Sequence, residues 1–208
     1  MGGHRRDRKR RPGRGLARKM PKPLILIVCE GENTEPQYLD GFVKACKNPR
    51  VRIRLHDGTG VPMTLVRIAK DAKADAAKRA KREGDDFLRY DSVWCVFDVD
   101  QHPDIPAAMT MANDNGIDLA ISSPCFELWL ILHFRDCPGG MHRHKLLNLM
   151  KKHIADYDKR VDYADYETGY PDAVRRATEL AEQALRVGDP LYNPSTGVYR
   201  LTELIRGE

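Results

Sequence analysis

Three short, nearly unbroken apolar runs constrain this chain most: Leu24–Cys29 (LILIVC), Ser92–Val99 (SVWCVFDV) and Ile117–Ile121 (IDLAI). Each is rich in β-branched and aromatic residues. The first is closed by Pro23 and Gly31, and the third by Ser122-Ser123-Pro124. A strand that is apolar on both faces must be covered on both, and parallel sheets with helices above and below do this.

The intervening segments carry helical spacing. Tyr38, Leu39, Phe42, Val43 and Cys46 line one face after Thr34-Glu35-Pro36, with Thr34 read as the N-cap and the helix stopping near Asn48-Pro49. Leu65, Ile68, Ala69, Ala72 and Ala76 line another, beginning after Pro62 and ended by Gly84. Pro106 to Asn115 is a short helix closed by Gly116, and Phe126 to Phe134 forms another. Val51 to Leu55 (VRIRL) alternates with period two and reads as an exposed or edge strand, followed by a turn at Asp57–Gly60. The order β-α-β-α-β-α-β-α predicts an α/β fold: a mostly parallel, Rossmann-like sheet flanked by helices.

After Gly139-Gly140 the pattern changes. Helices are expected over His144–Ala155 and Asp172–Arg186. A polar, tyrosine-bearing loop (Asp156 to Tyr170) lies between them, and a loop at Asn193–Val198 leads into a last short helix. The expected organisation is a basic, disordered arm over 1–22, an α/β core over 23–139, and a helical extension over 140–208 packed on that core.

Charge is unevenly placed. Of the 35 Lys/Arg residues, ten fall within residues 1–22 beside the single acid Asp7, which leaves the remainder mildly acidic. The arm is either a solubilising tail or a polyphosphate-binding segment. It has no apolar segment or cleavage site of a secretory signal. No apolar run approaches the roughly 18–20 residues that span a membrane, so no membrane partner is expected. Five cysteines without CxxC spacing suit free thiols in a reducing cytoplasm, and structural zinc is not expected.

Glu30 and the pair Asp98/Asp100 each follow a central strand. In open parallel sheets, ligands bind beyond the carboxyl ends of the strands. If the two strands are neighbours, three carboxylates meet in one cleft, and their repulsion calls for a hard cation, Mg²⁺ or Mn²⁺. The bland alternative is that the aspartates end a strand and cap a helix. Glu127 opens an apolar stretch and is expected to face the same cleft rather than simply occupy a helix N-terminus. Glu35 serves either as a helix-capping acid or as a metal ligand. Gly31 allows a tight turn behind Glu30 and close approach of a phosphate. Ser195 and Thr196 either cap the following helix or hydrogen-bond phosphate oxygens. The basic helix face that includes Lys73 and Arg79 is either solvated or tracks a nucleic-acid backbone. Trp129, Phe134 and His133 are read as core residues, and Ser122 and Ser123 lack the partners for serine hydrolysis.

Glu30-Gly31 and Asp98-Val99-Asp100, each after a hydrophobic strand, resemble the Toprim domain of topoisomerases, primases and overcoming-lysogenization-defect nucleases. Residues 24–35 (LILIVCEGENTE), 122–134 (SSPCFELWLILHF) and 193–198 (NPSTGV), in order with that DVD segment, resemble the RloB-like family. The resemblance implies a bacterial phage-defence effector, often with a partner ATPase of the ABC/SMC class. It implies Mg²⁺-dependent nuclease chemistry, with Glu30 as acid/base or metal ligand and Asp98 and Asp100 holding the metal. RNA, tRNA included, is expected before DNA. The alternative is a non-catalytic subunit that binds nucleic acid or the ATPase, and a homo-oligomer is compatible with either.

Overall fold

The computed structural model describes residues 23–55, 61–99, 104–137, 139–155 and 157–207. The basic arm, the turn at Asp57–Gly60 and Asp100 lie outside the described residues.

The apolar runs become the centre of a five-stranded sheet. β1 (Ile25–Cys29), β2 (Val51–Leu55), β3 (Ser92–Asp98) and β4 (Asp118–Ser123) run parallel, and the two-residue β5 (Ser195–Thr196) runs antiparallel to β4. The order across the sheet is β2-β1-β3-β4-β5. β2 is an edge strand, as its alternation predicts.

Period two divides the strand residues between two cores. Ile25, Ile27, Cys29, Trp94 and Val96 face α1 (Thr34–Ala45), α4 (Glu127–Leu132), α5 (Arg143–Met150), α6 (Tyr170–Val187) and α7 (Val198–Arg206). Leu26, Val28, Val93, Cys95 and Phe97 face α2 (Pro62–Glu83) and α3 (Ile105–Asp114). Every residue of β1 is fully buried, which accounts for the absence of polar residues in that run. Each Leu, Ile or Val so buried contributes about 1.5–3 kcal/mol from apolar area alone.

Helix limits follow local chemistry. α2 begins with Pro62 in its first turn and ends at Gly84, whose φ of 65° is left-handed and disfavours a side chain. α1 starts at Thr34, so Asn33 and not Thr34 occupies the cap position; the Thr34 hydroxyl instead donates to the Lys159 carbonyl at 3.3 Å. α1 also stops at Ala45, short of the expected Asn48, and α5 stops at Met150, short of Ala155.

The largest departure from expectation is the tyrosine-bearing stretch. Tyr157, Tyr163, Tyr166 and Tyr170 are all buried, Tyr163 on the short 3₁₀ turn Tyr163–Asp165, Tyr166 between it and the turn Glu167–Gly169, and Tyr170 at the start of α6. The rings of Tyr163, Tyr166 and Tyr170 meet Tyr38 and Phe42 of α1 and His133 after α4, edge-on in most pairs. The segment is part of the core, not a polar loop. Its sequence reads as polar because the acids between the tyrosines face solvent. The expected loop at Asn193–Val198 contains β5, which is too short for periodicity to reveal.

Among the described residues, no helix is long and apolar enough to cross a membrane.

Candidate active site at the β1/β3 crossover

From β1 the chain passes through α1 to β2 on one side, and the next strand, β3, lies on the other side of β1. This reversal of direction opens a crevice beyond the carboxyl ends of β1 and β3. Glu30 and Asp98 stand at its two lips. The Glu30 amide donates to the Val96 carbonyl at 3.0 Å, which extends the ladder by one step. The Asp98 amide in turn donates to Glu30 Oε2 at 3.2 Å. The two strand-end acids are therefore tied together, as the sequence requires if their strands are neighbours.

Two further carboxylates arrive from helices on the same face of the sheet. Glu35 is the second residue of α1 and is buried. Its carboxylate lies over the Cα of Gly31, where any Cβ would collide with it. Gly31 thus makes room for a carboxylate of this chain. Glu127 is the first residue of α4 and is 3% exposed.

Four acids in one buried place oppose each other's ionisation. Burial first, then the charges of Glu127 and Glu30, push the Glu35 carboxyl up to about 7; its own backbone amide and Lys159 act in the opposite direction. Asp98 is raised well above the usual range by burial, then by Glu35 and Glu127, against the pull of Arg143. Arg143, the first residue of α5, donates from Nη2 to Asp98 Oδ2 at 3.2 Å. Asp98 Oδ1 is buried and has no hydrogen-bond partner. A buried carboxylate oxygen in that position calls for positive charge.

The donors gathered here are hard oxygens, which suit Mg²⁺ or Mn²⁺. The orphaned Asp98 Oδ1 fits such an ion. Among the described residues, no set of three or more His, Cys, Asp or Glu side chains is spaced to hold a metal; Asp100 lies outside them. The neighbouring thiols are not ligands in waiting. Cys29 and Cys125 are buried, and burial followed by the nearby carboxylates (Glu35 at Cys29, Glu127 and Asp98 at Cys125) raises both well above the usual thiol range.

His133 is a satisfied core histidine. Its Nε2 pairs with the Tyr38 hydroxyl at 3.0 Å and its Nδ1 with the Trp129 carbonyl at 2.9 Å. Burial lowers its pKa to about 4. Trp129 is fully buried and Phe134 packs against the same core.

The remaining candidates lie elsewhere. Thr196 pairs with Ser122, which in turn pairs with Asp98, so Thr196 stands two strands from the acids, about 10 Å at strand spacing. The Thr196 hydroxyl bonds Ser122 Oγ at 3.0 Å and accepts from the Val198 amide, so it acts in the cap of α7. Ser195 and Thr196 also line an open, mainly apolar cavity of about 650 Å³ with Leu119, Ile121 and Leu185. α2 runs back along the sheet from the carboxyl to the amino edge. That places Arg79 roughly 25 Å along the helix axis from Pro62, toward the edge opposite the acids. Lys73 Nζ donates to the carbonyls of Asn115 and Gly116 at 2.9 and 2.6 Å, which ties α2 to the end of α3.

Sequence reasoning did not single out Arg143. The only visible sign is its place in the basic stretch His142–Lys145 after Gly139-Gly140. Nothing local says that it reaches an aspartate 45 residues earlier. Lys159 was missed for the same reason.

No curated protein and no solved structure matches the chain. The sequence model of the family described as RloB-like protein matches residues 25–205, the span that contains the whole sheet and all four carboxylates. The chain belongs to the RloB-like family.

Proposed function

We propose that the protein is a divalent-metal-dependent, Toprim-type nuclease that hydrolyses phosphodiester bonds, in RNA (tRNA included) before DNA, as a cytoplasmic phage-defence effector. One observation carries this reading. Four carboxylates, Glu30, Glu35, Asp98 and Glu127, converge at the crossover crevice, and one buried oxygen among them has no partner. Such an arrangement is costly for a fold that uses it only structurally.

In this reading Asp98 and Glu30 hold the metal with Glu35 beside them, and Asp100 joins them. A bound Mg²⁺ or Mn²⁺ would supply charge stabilisation at the phosphate. Glu30, less buried than Asp98 and held by the Asp98 amide, is placed to pass a proton to or from the attacking oxygen. Glu127 keeps the pocket negative. The five free thiols suit a reducing compartment. A partner ATPase of the ABC/SMC class would supply the trigger.

The alternative is a binding subunit without catalysis. One experiment separates the two. Wild type and Glu30→Ala are expressed with and without a neighbouring ATPase gene, and total RNA is sequenced for new ends. Discrete ends and toxicity that vanish in Glu30→Ala are expected. Equal behaviour of the two proteins in toxicity and defence would leave the binding role.

A further inference from the structure

Leu185 is 82% exposed, while the same helix buries Tyr170, Ala173, Ala177 and Ala184 on one face. It follows Ala184 and so points about 100° away from that face. Closing α6 uses backbone alone: the Gly188 amide donates to the Leu185 carbonyl at 3.1 Å and the Asp189 amide to the Ala184 carbonyl at 3.2 Å. A single exposed leucine is ordinary. Here Val187, 60% exposed, stands beside it, and the two form an apolar ridge at the end of α6.

Next to the ridge lies the open cavity of about 650 Å³. One wall is α6 itself, through Thr178, Ala181 and Leu185, spaced three and four residues apart on one face. The other is Met109 of α3 with Leu119 and Ile121 of β4. The volume falls within the roughly 300–1,000 Å³ of small-molecule sites. A small molecule inside it, however, leaves Val187 and the outer side of Leu185 in water. A protein surface covers the hollow and the ridge together, which is what a contiguous apolar patch calls for.

The patch complements itself. Ridge and hollow are both apolar and lie side by side. The margin is exposed and carries both signs: Arg186, which bonds Glu182 at 3.4 Å, and Arg200 stand with the acids Glu182 and Asp189. A margin of one sign would repel a second copy of itself. A mixed margin pairs with its own copy across a two-fold axis, cation to acid and acid to cation. Nucleic acid does not fit an apolar hollow edged by two acids.

We propose that this face of α6 is the interface between two copies of the chain, with Leu185 of each copy seated in the groove of the other. The contact is isologous, each copy giving one ridge and one hollow. Thr196 lines the groove, and its register partner Ser122 pairs in turn with Asp98. The interface therefore lies two strands from the carboxylates, and the dimer carries two clefts related by the same axis. The inference does not depend on what those clefts do.

Sedimentation velocity on the full chain across a ~100-fold dilution series tests this. Wild type is expected to be a dimer at the concentrated end. Leu185→Ala removes the ridge at an exposed position and introduces a good helix former, so folding is kept. Its association should weaken at least ~30-fold, the scale of one lost anchor. Ala181→Trp fills the hollow and should weaken association by a similar factor; should it fail to fold, Ala181→Leu takes its place. Neither variant has both a ridge and a hollow, but a mixture of the two supplies one of each. The mixed pair should therefore associate more tightly than either variant with itself. A wild type that stays monomeric throughout would overturn the proposal and leave the groove to another occupant. A dimer as tight in Leu185→Ala as in wild type would overturn it by placing the contact elsewhere. A mixture no tighter than its components would overturn the seating of Leu185 in the groove.

Discussion

The amide of Asp98 donates to the carboxylate of Glu30 at 3.2 Å, so the last residue of β3 orients the acid that follows β1. The relationship separates the two acids' roles. Glu30 loses its backbone tether if β3 shifts, whereas Asp98 keeps its place in the strand whatever occupies position 30. Glu30→Gln should therefore fold with a melting temperature close to wild type, because an amide oxygen still accepts from the Asp98 amide. Its RNA cleavage should fall by at least about 10²-fold, the usual scale for loss of an acid/base group. Melting curves and end-mapping on the same preparations check both halves.

Glu35 and His133 give opposite pH dependences. The carboxyl of Glu35 is raised from 4.5 to about 7, so the folded state binds its proton more tightly than the unfolded chain. Stability from this source is complete below pH 4.5 and is lost as pH rises through 7. His133 is lowered from 6.5 to about 4, so its contribution is complete above 6.5 and is lost as pH falls through 4. Between about 4.5 and 6.5 the two slopes cancel. Asp98, also raised well above the usual carboxyl range, adds its own loss with rising pH, so metal-free wild type should lose stability across this window and above it. Glu35→Gln should remove much of the decline and be more stable at pH 8 by ~1–3 kcal/mol, scaled from the shift. Denaturant unfolding across pH decides this: a Glu35→Gln profile that falls above pH 6.5 as steeply as wild type would contradict it.

Gly31→Ala tests the close approach of the Glu35 carboxylate. The new Cβ would meet the end of a flexible side chain and not backbone, so the stability cost should stay below ~1 kcal/mol. The carboxylate must move aside, however. Mn²⁺ affinity and RNA cleavage should both fall, by roughly 10-fold or more, as when a supporting residue of a metal site is lost. Calorimetry and cleavage assays on one preparation are sufficient.

Lys73 separates a structural cation from a nucleic-acid contact. Its ammonium is spent on the carbonyls of Asn115 and Gly116. Lys73→Ala should cost about 1 kcal/mol of stability, the usual net value of such bonds. RNA affinity and its salt dependence should be unchanged. A shallower salt dependence in Lys73→Ala would place this helix face on the nucleic acid after all.

The four longer strands β1–β4, their parallel direction, and Glu30 and Asp98 at the ends of β1 and β3 were legible in local sequence, whereas the antiparallel β5 was not. An unbroken apolar run such as LILIVC has few ways to be buried, and the residue after it must stand at the edge of the sheet. Gly84 marked the end of α2, and the crowded apolar neighbours of His133 marked it as core, for similarly local reasons. Partnerships between distant residues were not legible. That β1 and β3 are neighbours, that Arg143 reaches Asp98, that Gly31 makes room for Glu35, and that Tyr163 and Tyr166 from a polar-looking stretch pack against Tyr38 all depend on how helices cross the sheet. Periodicity reports which face of an element is buried. Only tertiary packing decides what that face meets, and in this cleft it decided which charges stand together.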